Sequence, residues 1–323
     1  MQFTQIPQQY APLGGELRYA VSREEAGNID IRIAGAADAA LLGAKRFAAV
    51  TEAAFDAAPY LRRQLRFVPA TGKTGFYSAG GRTVSVVVEA SETDGGTIAA
   101  TSPARTFLPG VEVPAGPCLR TSMPLNRLIP EGACDELTLL TSGACAVTVT
   151  AEAGDSTTAE SYRTAESGLH LFRLDTRDFQ GAECITVDAG VCGTAVYSVM
   201  PAVEGAVRLA WRSSAGSVEH YTFPVVRTTT VRAGRLEAEG PEGRMVVAAD
   251  AEREMLLVSA YEACAVLEAL AELMTAPEVW IAGESGYTPV SVATGEVVVR
   301  RHGSLCCLEV AVRPKHKIRM PWN

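Results

Sequence analysis

Few residues in this chain are placed to do chemistry by their spacing alone. The four histidines, His170, His220, His302 and His316, never fall within four residues of one another. No pair therefore has the spacing that puts two imidazoles on one helix face around a zinc ion. Ala70-Thr71-Gly72-Lys73-Thr74 carries the Gly-Lys-Thr of a phosphate loop, but the leading glycine of that motif would be residue 67, which is Phe67. Without it the backbone cannot wrap a phosphate, and the segment reads as a turn. Gly283-Glu284-Ser285-Gly286 lacks the second glycine of a nucleophile elbow, because Tyr287 stands there. Asp250, Glu252 and Glu254 are close in sequence, yet a glycosidase pair is defined by separation in space. His170 and His220 sit in strand patterns and read as structural. The expectation is a non-enzymatic protein with no catalytic, cofactor or metal residue to name. An enzyme whose residues converge only in space would instead show a deep polar pocket beside His170 or His220.

The eight cysteines suggest the same restraint. Cys145, Cys184 and Cys307 lie inside or beside Val/Thr-rich strand patterns, where a thiol behaves as a small buried hydrophobe. Cys134 with Cys145 and Cys184 with Cys192 lack CxxC spacing, and the adjacent Cys306 and Cys307 point to opposite faces of a strand. Reduced, buried thiols are expected. Met1 to Leu17 shows no basic stretch followed by an apolar run, so synthesis and folding in the cytoplasm are expected. No uncharged apolar stretch is long enough to span a membrane, since Glu262, Glu268 and Glu272 break the most apolar one.

Charge is carried unusually. Only Lys45, Lys73, Lys315 and Lys317 are lysines among 29 cationic residues, and the formal net charge is -8. From Arg300 onward six cations stand against Glu309, a local +5 that leaves -13 for the rest of the chain. An acidic body without a basic stripe argues against nucleic-acid binding. The basic end suggests contact with an acidic surface, and Arg300, Arg301, Lys315, Lys317 and Trp322 are the candidate subunit-contact residues. Trp211 and Trp280 alternate with the apolar side of their strands and read as core, which leaves no aromatic platform for a glycan.

The elements that carry these residues are short strands. The 29 glycines and 17 prolines leave little room for long helices. The chain reads as mainly β, built of successive β-sandwich or β-barrel modules with one α-helix in the C-terminal unit. Residues 1–100 form a β-rich unit, with strands over 16–22 and 28–34 joined as a hairpin by the polar turn Arg23 to Gly27. Part of the Ala-rich stretch 34–58 is extended, Pro59 opens a short helix, and Val84, Val86 and Val88 mark a half-buried strand. The Pro/Gly-rich stretch 93–117 reads as a linker. Residues 101–203 offer five strands, at 137–140, 145–152, 169–175, 184–188 and 194–200, suited to a β-sandwich. Residues 204–323 form a barrel or sheet. It opens with a hairpin from Val207 to Phe223, and a helix over 260–275 follows, capped by Ser259 with Glu262 and stopped by Pro277. Four more strands complete it.

Within that last unit, Leu209-Ala210-Trp211, the turn at Gly216 and Tyr221-Thr222-Phe223 resemble a hairpin of tail-associated proteins of bacteriophages and prophages. Leu270 to Met274, Thr275 to Trp280 and Tyr287 to Val292 are similar to a second stretch of such proteins, and Gly43 to Phe47 and Ala58 to Arg62 to a third. The resemblance implies a structural part of a tail or baseplate, homo-oligomeric on assembly, with other tail subunits as partners and no catalytic residues. Such a protein would be made in the cytoplasm and built into a virion or phage-like particle. The alternative is a surface or adhesive β-sandwich protein that binds glycan or protein. Export would bring oxidised cysteines, so a thiol count separates the two.

Overall fold

The computed structural model describes residues 1–92, 96–284, 286–297, 299–316 and 318–319, the last pair by backbone alone. Its architecture is mainly β, in four sheets with two short α-helices, Ala58–Leu61 and Cys264–Ala271.

The first sheet has six strands. Where a hairpin over 16–34 is expected, one long strand runs from Arg18 to Gly35, because its partner Leu41–Asp56 pairs with both halves and the register slips between Ser22 and Gly27. The polar residues Arg23 to Gly27 thus form an irregular stretch in a continuous ladder, not a turn. Ile29, Ile31 and Ile33 alternate into a core with Tyr19, Val86, Val88 and Phe107. The stretch expected as a linker supplies Ile98–Thr101 and Arg105–Phe107, both paired with Val84–Ser91. Its prolines and glycines punctuate short strands, and burying Phe107 holds them down.

The middle of the chain is a sandwich. Gly75–Ser78, Gly168–Asp175, Cys134–Thr141 and Cys118–Arg120 make one sheet. Ser156–Thr164, Cys145–Ala153, Cys184–Asp188, Thr194–Met200 and Asn126–Pro130 make the other. Leu137, Leu139, Phe172 and Leu174 of the first face Val147, Val149, Ile185, Val187 and Tyr197 of the second in one core. Asn126–Pro130 runs parallel to Thr194–Met200.

The fourth sheet has ten strands. The expected hairpin is present as Val207–Arg212 paired with Val218–Phe223, with Trp211 fully buried. Gly216 in its turn has φ +81°, and a Cβ there would sit 2.6 Å from the backbone of Pro109. The turn thus packs directly on the chain leading into the sandwich. The helix begins at Cys264, not 260, and Ala263 caps it without a side-chain bond. Ser259 and Glu262 are used elsewhere: the Ser259 hydroxyl accepts from the Leu308 N–H at 3.0 Å, and Glu262 accepts from the Tyr221 hydroxyl at 3.0 Å. Strand pairing of Glu262 with Cys306 has displaced the local cap.

Candidate functional site: a projecting hairpin above a buried polar seam

The largest feature without a counterpart in the strand reading is a hairpin formed by Val225–Gly240 and Gly243–Val258, each 16 residues long. The local sequence explains it. Thr228, Thr229, Thr230 and Val231 are β-branched, and Pro241-Glu242 forms the turn between the paired Gly240 and Gly243. Turn and strand types together were a readable signal, masked by the charged residues around them. At its base Met255–Val258 pairs with Leu305–Pro314, and Ile318–Arg319 pairs at Asp250 and Ala251. Beyond that third strand, among the described residues, 235–240 and 243–249 run on as a two-stranded ribbon of roughly 20 Å at about 3.3 Å per residue. The hairpin exposes Val231, Leu236, Met245, Val246 and Val247, each 44% or more accessible. Two-stranded ribbons are marginal in water. Along Thr228 to Gly240 the edge carries neither lysine nor proline, only the charges of Arg232, Arg235, Glu237 and Glu239, and the bulged residue near its tip is on the other strand.

Beneath the base of this sheet lies a seam of buried charge against the sandwich. The Arg127 guanidinium donates to Asp135 at 2.8 Å and approaches Glu219 at 3.3 Å, with all three side chains 3% exposed or less. Asp135 also lies 3.1 Å from His220 Nδ1, and His220 Nε2 is 3.0 Å from the Tyr287 hydroxyl. Arg82 grips Glu136 through two bonds. Arg173 donates to Asp175 and to the carbonyls of Ala70 and Gly72, which makes the Gly-Lys-Thr segment a clamped turn. Burial works against the Asp135 charge, but Arg127 and the bond from His220 outweigh it and hold the carboxyl well below the usual range. Burial pushes Glu219 up, partly opposed by Arg127. Burial also lowers His220, so its imidazole is neutral, with Nδ1 facing Asp135 and Nε2 sharing a hydrogen bond with the Tyr287 hydroxyl.

Two cavities adjoin the seam. One of about 360 Å³ is lined by Cys134, Arg173, Arg177, Arg208, Thr222 and Tyr287. One of about 170 Å³ touches Asp135, His220, Arg208 and Glu262. A histidine beside carboxylates at a cavity is the arrangement an enzyme would show. Here the His220 side chain is 0% exposed, and both ring nitrogens face protein groups. The Tyr287 hydroxyl, driven upward by burial, holds its proton. The arrangement ties the strands of Cys134–Thr141, Val218–Phe223 and Gly286–Val292 together. His170 lies apart, its Nε2 3.0 Å from the Glu166 carbonyl. Among the described residues no three His, Cys, Asp or Glu gather as a metal site, and no helix is long and apolar enough to cross a membrane.

The residues chosen from charge behave unevenly. Arg300 pairs with Glu309 at 2.6 Å, and Arg313 lies 3.8 Å from Glu252, both within their own sheet. Arg301 and Lys315 are exposed and have no ion-pair partner among the described residues. Lys317 and Trp322 lie outside the described residues. Trp211 and Trp280 are core, as expected. All eight cysteines are free, with Cys307 buried as expected but Cys145 and Cys184 only half-buried. Gly283 pairs with Gly286 across a hairpin turn, which is not the strand-to-helix corner a nucleophile elbow needs.

No family model and no curated protein sequence matches this chain. A crystal structure of Dpr2 Ig1-Ig2 in complex with DIP-Theta Ig1-Ig3 is similar over 62% of this chain and 98% of that one, at 11% identity and a TM-score of 0.17, a likeness too slight to bear on fold or function.

Proposed function

We propose that this protein is a non-catalytic assembly subunit that docks protein partners through the Val225–Val258 hairpin. The observation that carries the reading is the hairpin itself: a strand edge with large apolar side chains at its tip, anchored in a sheet that the buried seam fixes to the sandwich. A strand edge offers a partner main-chain hydrogen bonds, and alternate side chains offer selectivity. The sequence resemblance makes a phage or phage-like tail or baseplate the setting for such a subunit. Export as an adhesin predicts oxidised cysteines, and Cys264 and Cys306, with sulfurs 3.4 Å apart, are the pair placed to show it. A thiol titration of the native protein that finds fewer than eight would favour the adhesin.

The test is photo-crosslinking in cells that naturally make the protein. A photoreactive residue replaces Leu236 or Met245 in the hairpin, or Val68 or Val191, which are even more exposed elsewhere. Crosslinks to protein chains concentrated at Leu236 and Met245 support the reading. Crosslinks that are absent there, or no more frequent than at Val68 and Val191, overturn it.

A further inference from the structure

We propose that the hairpin's occupant is a second copy of this chain, joined edge to edge along Val225–Gly240 about a two-fold axis through Leu236; the inference rests on the docking role given to the hairpin above. On this strand Arg235, Glu237 and Glu239 share one face, and Leu236 and Ala238 share the other, because side chains alternate. In an antiparallel pair directly opposed residues lie on the same face, so a two-fold axis perpendicular to the sheet must pass through a residue of the strand and its mate. Three central registers then compete. An axis at Arg235 sets two guanidinium groups against each other, and an axis at Glu237 does the same with two carboxylates. An axis at Leu236 places Arg235 of each copy opposite Glu237 of the other, twice over, with the two leucines meeting between them and Gly234 facing Ala238. Like charges directly opposite destabilise a sheet and opposite charges stabilise it, so the Leu236 register is selected.

The monomer leaves these groups available. Neither Arg235 nor Glu237 has an ion-pair partner among the described residues, whereas Arg232 of the same strand is paired within its own hairpin, 3.4 Å from Glu254. Along the Leu236 register the pairing runs from Arg232 to Gly240, where the bulged residue is on the other strand and does not interrupt it. Four strands in place of two are also what an independently stable sheet requires. The interface is isologous and closes on itself, giving a dimer and no filament.

Sedimentation velocity of the full chain over a concentration series tests this, with the variants Arg235→Glu, Glu237→Arg and the double exchange. The wild-type chain is expected to reach a concentration-dependent dimer. Each single exchange brings like charges together at two places and is expected to weaken the dimer by about tenfold or more, and the double exchange restores it. Both exchanged positions are exposed, so folding is preserved, and circular dichroism checks it. A wild-type chain that stays monomeric at every concentration overturns the proposal, as does a dimer indifferent to both single exchanges or one that the double exchange fails to restore. The crosslinking at Leu236 separates the two readings: a product of twice the chain's mass supports the dimer, whereas crosslinks to a different protein alone overturn it and leave the docking role standing.

Discussion

Arg127, Asp135, Glu219 and His220 show how much a buried charge depends on its neighbours. The guanidinium has two carboxylates within reach and almost no water. Asp135→Asn removes its closest partner, and about 3 to 5 kcal/mol of stability should be lost in urea unfolding. Exchanging Arg127 and Asp135 together for apolar residues should cost less than the sum of the single changes, because neither is then left facing the other's empty place, although Glu219 still loses Arg127. His220 gives a pH signature with a definite sign. Its folded value is lowered from the ordinary 6.5, so the unfolded chain takes up the proton first. Its contribution is present above pH 6.5 and fades as pH falls below it, with a slope of at most about 1.4 kcal/mol per pH unit. Stability measured between pH 5 and 7 should rise with pH in the native chain and flatten in His220→Gln. Glu219, raised by burial, acts in the opposite sense: its contribution is full below its ordinary 4.5 and lost as pH climbs through the raised value.

At the scale of elements, the hairpin Val207 to Phe223 is fixed at both ends. Trp211 fills the core, and its truncation to alanine should cost about 3 to 5 kcal/mol. At the turn, Gly216→Ala introduces a Cβ against Pro109 at a backbone angle that side chains rarely adopt. A loss of about 1 to 3 kcal/mol is expected by thermal unfolding. Gly116→Ala is the control: nothing lies within 4 Å of a Cβ there, and stability should stay within about 0.5 kcal/mol of the parent. Local signals identified this hairpin, the short helix at Pro59 and five of the nine strands of the sandwich, because alternation of apolar residues is written in the strand itself; they missed Gly75–Ser78, Cys118–Arg120, Asn126–Pro130 and Ser156–Thr164. They misplaced the start of the second helix. A Ser followed three residues later by Glu is a cap only when no strand competes for the same groups, and here Leu308 and Tyr221 do.

For the whole molecule, the seam and the ribbon make opposite contributions. The seam joins the sheets, and the ribbon adds length without adding core. Excising residues 231–253 and closing Thr230 to its partner Glu254 with an Asn-Gly turn should leave the melting temperature within a few degrees of the parent, since few apolar groups there are buried. A large drop would mean that the ribbon supports the body, and the docking role would lose its basis. The charge asymmetry along the chain also resolves at this scale: part of the basic end is matched within its own sheet, by Glu309 and Glu252.

The amino-acid sequence determined the β character, five of the nine sandwich strands, the buried tryptophans and the turn nature of the Gly-Lys-Thr segment, because each follows from periodicity or from a missing residue in a motif. Only the tertiary structure decided that Arg18–Gly35 is one strand, that the Pro/Gly-rich stretch is part of a sheet, and that Asp135 meets His220, 85 positions away in the numbering. Pairing partners and charge neighbours are set by which strands lie side by side, and that is a property of the closed chain rather than of any segment. The hairpin stands between the two cases: its strands and turn are local, but the fact that it projects uncovered depends on where the neighbouring strand stops.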